Sequence, residues 1–146
     1  MVQRGELRVE AKLEYLRNVS DFVRDIGQQL HLTEEAIFDF DLAVEEAAAN
    51  IVQHAYRSGQ ARDILLRVET TDDLVRISLT DWGLPFDAKR VKPFDVDASV
   101  ETLIEGGMGL RIIHSLMDDV VRQTASAPGG PNVIMLSKHL EHRHAP

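Results

Sequence analysis

Residues 46–56 read Glu46-Ala47-Ala48-Ala49-Asn50-Ile51-Val52-Gln53-His54-Ala55-Tyr56. Glu46, Asn50 and His54 recur at four-residue spacing, so on a helix they share one edge. At about 100° per residue, Asn50 lies about 40° round from Glu46 and His54 about 80°. Ile37, Phe40, Val44, Ala47, Ile51 and Ala55 form an apolar stripe centred elsewhere on the same helix. A helix over about 34–56 therefore buries one side and carries a polar strip next to it. Spacing alone is more often the mark of a solvated helix face. The functional alternative is a pocket wall, in which Asn50 offers a neutral oxygen to a hard cation such as Mg²⁺. Glu46, one turn away, could then polarise a hydroxyl or a water.

The flanking chain fixes the rest of the order. Thr33 suits an N-cap, with Glu34 and Glu35 in the positive first turn. Upstream, Leu7, Val9, Ala11 and Leu13 alternate with charged residues, which predicts a first strand. Leu16, Val19, Phe22 or Val23, Ile26 and Leu30 follow at helical spacing and predict a helix over about 14–30. Downstream, Arg57-Ser58-Gly59-Gln60 ends the long helix. Ile64 to Thr71 and Leu74 to Asp81 read as a hairpin around Thr71-Asp72-Asp73. Residues 88–105 lack periodicity, as lids and binding loops often do. A short helix marked by Leu110, Ile113, Leu116 and Met117 comes next. Strands at Val120 to Ala125 and Val133 to Lys138 then flank the turn Ser126 to Pro131. Runs of consecutive strands favour antiparallel pairing, so the expected class is α+β, with helices on one face of the sheet.

With 146 residues, the chain suits one domain, expected over 5–138, with a polar tail at 139–146. A formal charge of −8 argues against a module that grips nucleic-acid backbones or an anionic membrane. There is no cysteine, which removes disulfides, thiol catalysis and cysteine-ligated metal, and agrees with a reducing cytoplasm. No apolar run approaches a membrane span, and Met1 to Glu6 holds no signal core.

Two further signals carry chemistry. Asp81 continues the parity of Val75, Ile77 and Leu79, which places a carboxylate on the core side at a strand end, just before Gly83. Burial there is costly without a hydrogen-bonding partner, and an adenine amino group would be one. An exposed strand-end acid feeding a turn is the equal alternative. Gly106-Gly107-Met108-Gly109 precedes a helix, whose unpaired N–H groups and dipole suit phosphate. Neither the dinucleotide fingerprint nor the common NTPase loop is present. Lys89, Arg90, Lys92 and Arg111 are each more simply solvated cations. His139, His142 and His144 read as an exposed tail, and Trp82 as a turn support or a neighbour to a base.

In combination the segments are far more specific than any one of them. E-x-x-x-N-x-x-x-H-A-Y at 46–56, D-x-G-x-P-F-D at 81–87 and G-G-M-G-L at 106–110 occur in order. This pattern resembles the GHKL, or Bergerat-fold, ATP-binding proteins. Within them it resembles the small anti-sigma-factor serine/threonine kinases of partner-switching systems, and Pro85 in the middle box is usual in that branch. The resemblance implies a two-layer sandwich with a mixed, mostly antiparallel sheet, binding ATP and Mg²⁺. It implies Asn50 as metal ligand and Glu46 as general base. Asp81 would read adenine, and Gly83 would let the base approach. Gly107 and Gly109 would line the phosphates, with His54, Phe86, Met108 and Leu110 also at the nucleotide and 88–105 as a lid. Glu105 has no role in this pattern. The implied partners are a STAS-domain anti-sigma-factor antagonist and a sigma factor, with a homodimer formed through the N-terminal strand and helix. A non-catalytic, nucleotide-dependent binding module is the alternative. A histidine-kinase catalytic fragment fits less well, because those proteins normally carry a separate phospho-accepting helical domain.

Overall fold

A computed structural model describes residues 1–56, 62–84 and 108–139. The chain runs β1 (Val2–Glu10), a 3₁₀ turn (Leu13–Tyr15), α1 (Leu16–Gln29), α2 (Glu34–Asn50) and a π turn (Ile51–Ala55). It continues through β2 (Asp63–Thr70), β3 (Leu74–Asp81), α3 (Met108–Leu116), β4 (Asp119–Gln123) and β5 (Asn132–His139). The sheet order is β1-β2-β3-β5-β4. Every described pair is antiparallel, in line with the mostly antiparallel sheet expected. The hairpins β2–β3 and β4–β5 bring the chain back beside itself and are antiparallel by construction; β1 pairs with β2, and β5 with β3, in the same sense.

Local chemistry sets the element ends. Thr33 caps α2, its Oγ1 accepting from the Ala36 N–H at 3.1 Å. α1 ends in a Schellman arrangement: the Leu32 N–H reaches the Gly27 carbonyl, the His31 N–H reaches that of Gln28, and His31 takes φ 59°. The 71–73 turn closes as expected, with the Asp73 N–H on Thr71 Oγ1 at 3.2 Å. The first strand lies earlier than its pattern suggested: Leu13 opens the 3₁₀ turn and is exposed.

The helices share one face of the sheet. Leu66, Ile77, Leu79 and Leu136 are buried against Phe40 and Val44 of α2, Val19 and Val23 of α1 and Ile113 of α3. Gly27 lets α1 and α2 close up, because a Cβ there would lie 2.7 Å from Ile37 Cγ1. Buried Asp41 on α2 is satisfied from α1, by Ser20 Oγ at 2.6 Å and Arg24 Nε at 2.8 Å.

At the end of β5, buried Lys138 joins three elements. Its Nζ donates to the Leu116 carbonyl at 2.7 Å and pairs with Asp39 of α2 at 3.2 Å. Removing one partner of a buried pair leaves an uncompensated charge and costs about 3–5 kcal/mol, whereas replacing both partners by apolar residues of similar shape is often near neutral. Asp39→Ala and Lys138→Met are therefore each expected to lower stability by about 3 kcal/mol, and the double variant Asp39→Leu/Lys138→Met by much less. Urea unfolding followed by circular dichroism checks all three. No helix among the described residues is long and apolar enough to cross a membrane.

Candidate functional site

α2 presents the polar strip next to its buried stripe. Glu46 and Asn50 are half-buried while Ala47, Ala48 and Ile51 between and beside them are buried. Among the described residues, neither polar side chain is engaged in a hydrogen bond or an ion pair. Glu45, the preceding acid, lies toward α1. Burial first, and then the nearby Asp41 carboxylate, push it above its ordinary range, and Arg24 pulls it back.

His54 departs from the helical prediction. The α-helix stops at Asn50, and Ile51–Ala55 form a π turn, in which each residue advances less round the axis. His54 is exposed, and its angle to Asn50 is not that of a continuous α-helix. The π turn delivers the helix end to the sheet. The Ala55 carbonyl accepts the Leu84 N–H at 2.6 Å, and the Tyr56 hydroxyl accepts the Trp82 N–H at 3.0 Å while donating to the Asp63 carbonyl at 2.8 Å. Burial pushes the Tyr56 hydroxyl above its ordinary range, so it stays protonated and able to donate.

Gly83 is what permits this junction. A Cβ there would sit 2.1 Å from the Ala55 carbonyl oxygen and 2.5 Å from its carbon. In the described structure this glycine is therefore required by the approach of the α2 end to the strand end. The first and second sequence boxes meet there, backbone against backbone.

Asp81 points to the core side, as its parity predicts, and is 7% exposed. Its Oδ1 accepts from the Gly83 N–H at 3.0 Å and from Asn132 Nδ2 at 3.1 Å. Burial pushes its carboxyl above the ordinary range, and the Asn132 and Gly83 donors pull the other way. Asn132 is opposite Asp81 in the β3–β5 register, and sequence reasoning missed it. The signal was available: Asn132 shares the parity of Ile134, Leu136 and Lys138, so it too is a polar residue on the core side. Trp82 lies on the outer face, with the Arg8 guanidinium 5.3 Å from its ring centroid, so in the described structure it supports the sheet surface.

The third box opens α3 at Met108, and α3 packs against α2. The described helix begins at Met108, and the first turn of a helix generally carries N–H groups without an intrahelical partner. Phe86, Gly107, Glu105, the cations Lys89, Arg90 and Lys92, the lid at 88–105, and His142 and His144 lie outside the described residues. His139 is not in a tail: it ends β5 and is exposed.

An open antiparallel sheet with its helices on one face, a carboxylate at a central strand end and a polar strip on the facing helix define the class of histidine kinase-like ATPase folds. The solved RsbU and RsbW domains of Rv1364c from Mycobacterium tuberculosis share the fold, with a TM-score of 0.64 at 18% identity, over 91% of this chain and 32% of that one. The histidine kinase domain of the Erythrobacter litoralis EL346 blue-light activated kinase does so at 0.56 and 16%, over 88% of this chain and 60% of that one. The description "histidine kinase-like ATPase domain" matches residues 9–137. The serine-protein kinase RsbW of Oceanobacillus iheyensis is 34% identical over 119 residues, 79% of this chain and 75% of that protein. The Staphylococcus aureus RsbW is 35% identical over 120 residues, 79% and 76% of the two chains. The chain belongs to the histidine kinase-like ATPase family, among relatives of the RsbW serine-protein kinases.

Proposed function

We propose that this protein is an ATP-dependent anti-sigma factor that phosphorylates a serine or threonine of a STAS-domain antagonist and sequesters a sigma factor. The observation that carries the reading is the junction of Leu84 N–H with the Ala55 carbonyl, which holds the α2 strip bearing Glu46 and Asn50 against the strand end bearing Asp81. Kinship with proteins named serine-protein kinases supports the direction of the chemistry.

The residues divide the work as follows. Asp81 receives the adenine amino group. The α3 N-terminus, with Gly107, Met108, Gly109 and Leu110, receives the phosphates through backbone N–H groups. His54 and Phe86 flank the nucleotide. Mg²⁺ fits the donor set, because it usually keeps several waters and takes few protein oxygens beside those of the phosphates. Asn50 supplies one such neutral oxygen, and the bound ion would neutralise phosphate charge. Glu46 accepts the proton of the substrate hydroxyl as that oxygen bonds to the γ-phosphorus. The bond to the β-phosphate oxygen breaks, and ADP leaves with the electron pair. Phosphoryl transfer asks chiefly for positioning and charge stabilisation, so this small set is adequate. Phosphorylation frees the antagonist and leaves the protein available to sigma. The setting is the cytoplasm. The edge position of β1 suits a homodimer formed through the N-terminal strand and helix.

The test is transfer from γ-labelled ATP to a purified cognate STAS-domain antagonist. Label on a serine or threonine of the antagonist is the expected result. Nucleotide-dependent partner exchange without label would instead favour a non-catalytic binding module.

A further inference from the structure

Asn132 has every hydrogen-bonding group committed. Nδ2 donates to Asp81 Oδ1 at 3.1 Å and to the Gly83 carbonyl at 3.1 Å, and Oδ1 accepts the Ala125 N–H at 3.0 Å. Its neighbours fix which end of the amide is which: a carboxylate and a carbonyl need the donor, and an N–H needs the oxygen. Both Nδ2 protons are used, so Asn132 has none left to give a ligand. It is also only 8% exposed.

The consequence falls on Asp81. Both of its hydrogen bonds from described residues, Gly83 N–H and Asn132 Nδ2, end on Oδ1. Neither of these bonds engages Oδ2, and the rotation of the carboxylate about its own axis is stopped by two donors on the other oxygen. The same amide holds Gly83 by its carbonyl, so the strand end and the carboxylate are fixed as one unit. The Ala125 bond anchors that unit to the segment joining β4 to β5.

We propose that Asn132 is a positioning residue for base selection: together with the Gly83 N–H it saturates Asp81 Oδ1 and aims Oδ2 as a lone acceptor, making the site selective for a 6-aminopurine over a 6-oxopurine. This rests on the nucleotide reading above and adds to it the residue that sets the choice of base. A fixed acceptor rejects an oxo-purine because two oxygens would face each other unpaired.

The experiment measures Mg²⁺-ATP and Mg²⁺-ITP binding by calorimetry, for the wild type, Asn132→Ala, Asp81→Ala and the double variant. Asn132→Leu, close to asparagine in volume, serves if Asn132→Ala does not fold, and circular dichroism confirms folding in each case. Wild type is expected to prefer ATP. Asn132→Ala is expected to reduce that preference about tenfold, the scale of one hydrogen bond to a charged group, with ITP binding changing less than ATP binding. In the Asp81→Ala background the same substitution is expected to leave the preference where Asp81→Ala put it, because a residue acting through Asp81 has nothing left to act on. Equal losses for both nucleotides, or a full Asn132 effect without Asp81, would overturn the proposal while leaving base recognition by Asp81 intact. A wild type that binds ATP and ITP alike would remove the base-recognition reading itself, and this proposal with it.

Discussion

Glu46→Gln is expected to lower phosphoryl transfer to the antagonist by about 10²–10⁴-fold, the usual contribution of a positioned general base. The amide keeps the shape of the side chain and removes its ability to take a proton. Glu46 is half-buried on a helix whose neighbouring residues are packed, so the substitution disturbs no core contact. ATP affinity is therefore expected to stay within a few-fold of wild type, as is proper when an interaction is made chiefly in the transition state. Single-turnover transfer from labelled ATP, beside calorimetric binding of ATP, separates the two. Unchanged transfer would exclude Glu46 as the base and direct attention to Glu45, whose carboxyl is already held above its ordinary range by burial.

The second large effect belongs to Asp81→Asn. The new side chain can keep its oxygen where Gly83 N–H and Asn132 Nδ2 donate, which places its NH₂ group where Oδ2 stood. An acceptor becomes a donor. ATP affinity is expected to fall by about a hundredfold or more, since a charge-assisted bond is lost and two donors then face each other. ITP affinity is expected to rise, because the exocyclic 6-oxo group of its base meets that donor. The same substitution also tests linkage. Burial raises the Asp81 carboxyl in the folded protein above its unfolded value. As pH rises from the ordinary carboxylate range through the raised folded value, the folded state holds a proton that the unfolded chain has released. Stability therefore falls across that window. Asp81→Asn removes this loss, so the ligand-free variant is expected to melt higher than wild type at neutral pH and to match it more closely near pH 4. A lower melting temperature at neutral pH would show that the ionised carboxylate is better satisfied than its burial implies.

Much of this architecture could be read along the chain. The stripe on α2, the Thr33 cap and the 71–73 turn are local chemistry. In each case the deciding partners are within a few residues, so pattern and propensity are enough. Asp81 was legible for a similar reason: strand parity put a carboxylate on the core side, and a buried carboxylate must be answered by something. The π turn was not legible. Ile51–Ala55 carry a good helical pattern, and the departure from it is set by a distant demand, the docking of the Ala55 carbonyl on Leu84. His54 was consequently aimed by an angle the backbone does not keep.

The amino-acid sequence by itself determined the element order, the apolar faces and the identities of Glu46, Asn50 and Asp81, because side-chain period and capping act between near neighbours. Only the tertiary structure decided the antiparallel register that sets Asn132 across from Asp81, and the contact of Gly83 with Ala55. Those relations join residues 28 and 51 positions apart. No local propensity encodes them; they exist once the sheet has closed and the helix end has met it.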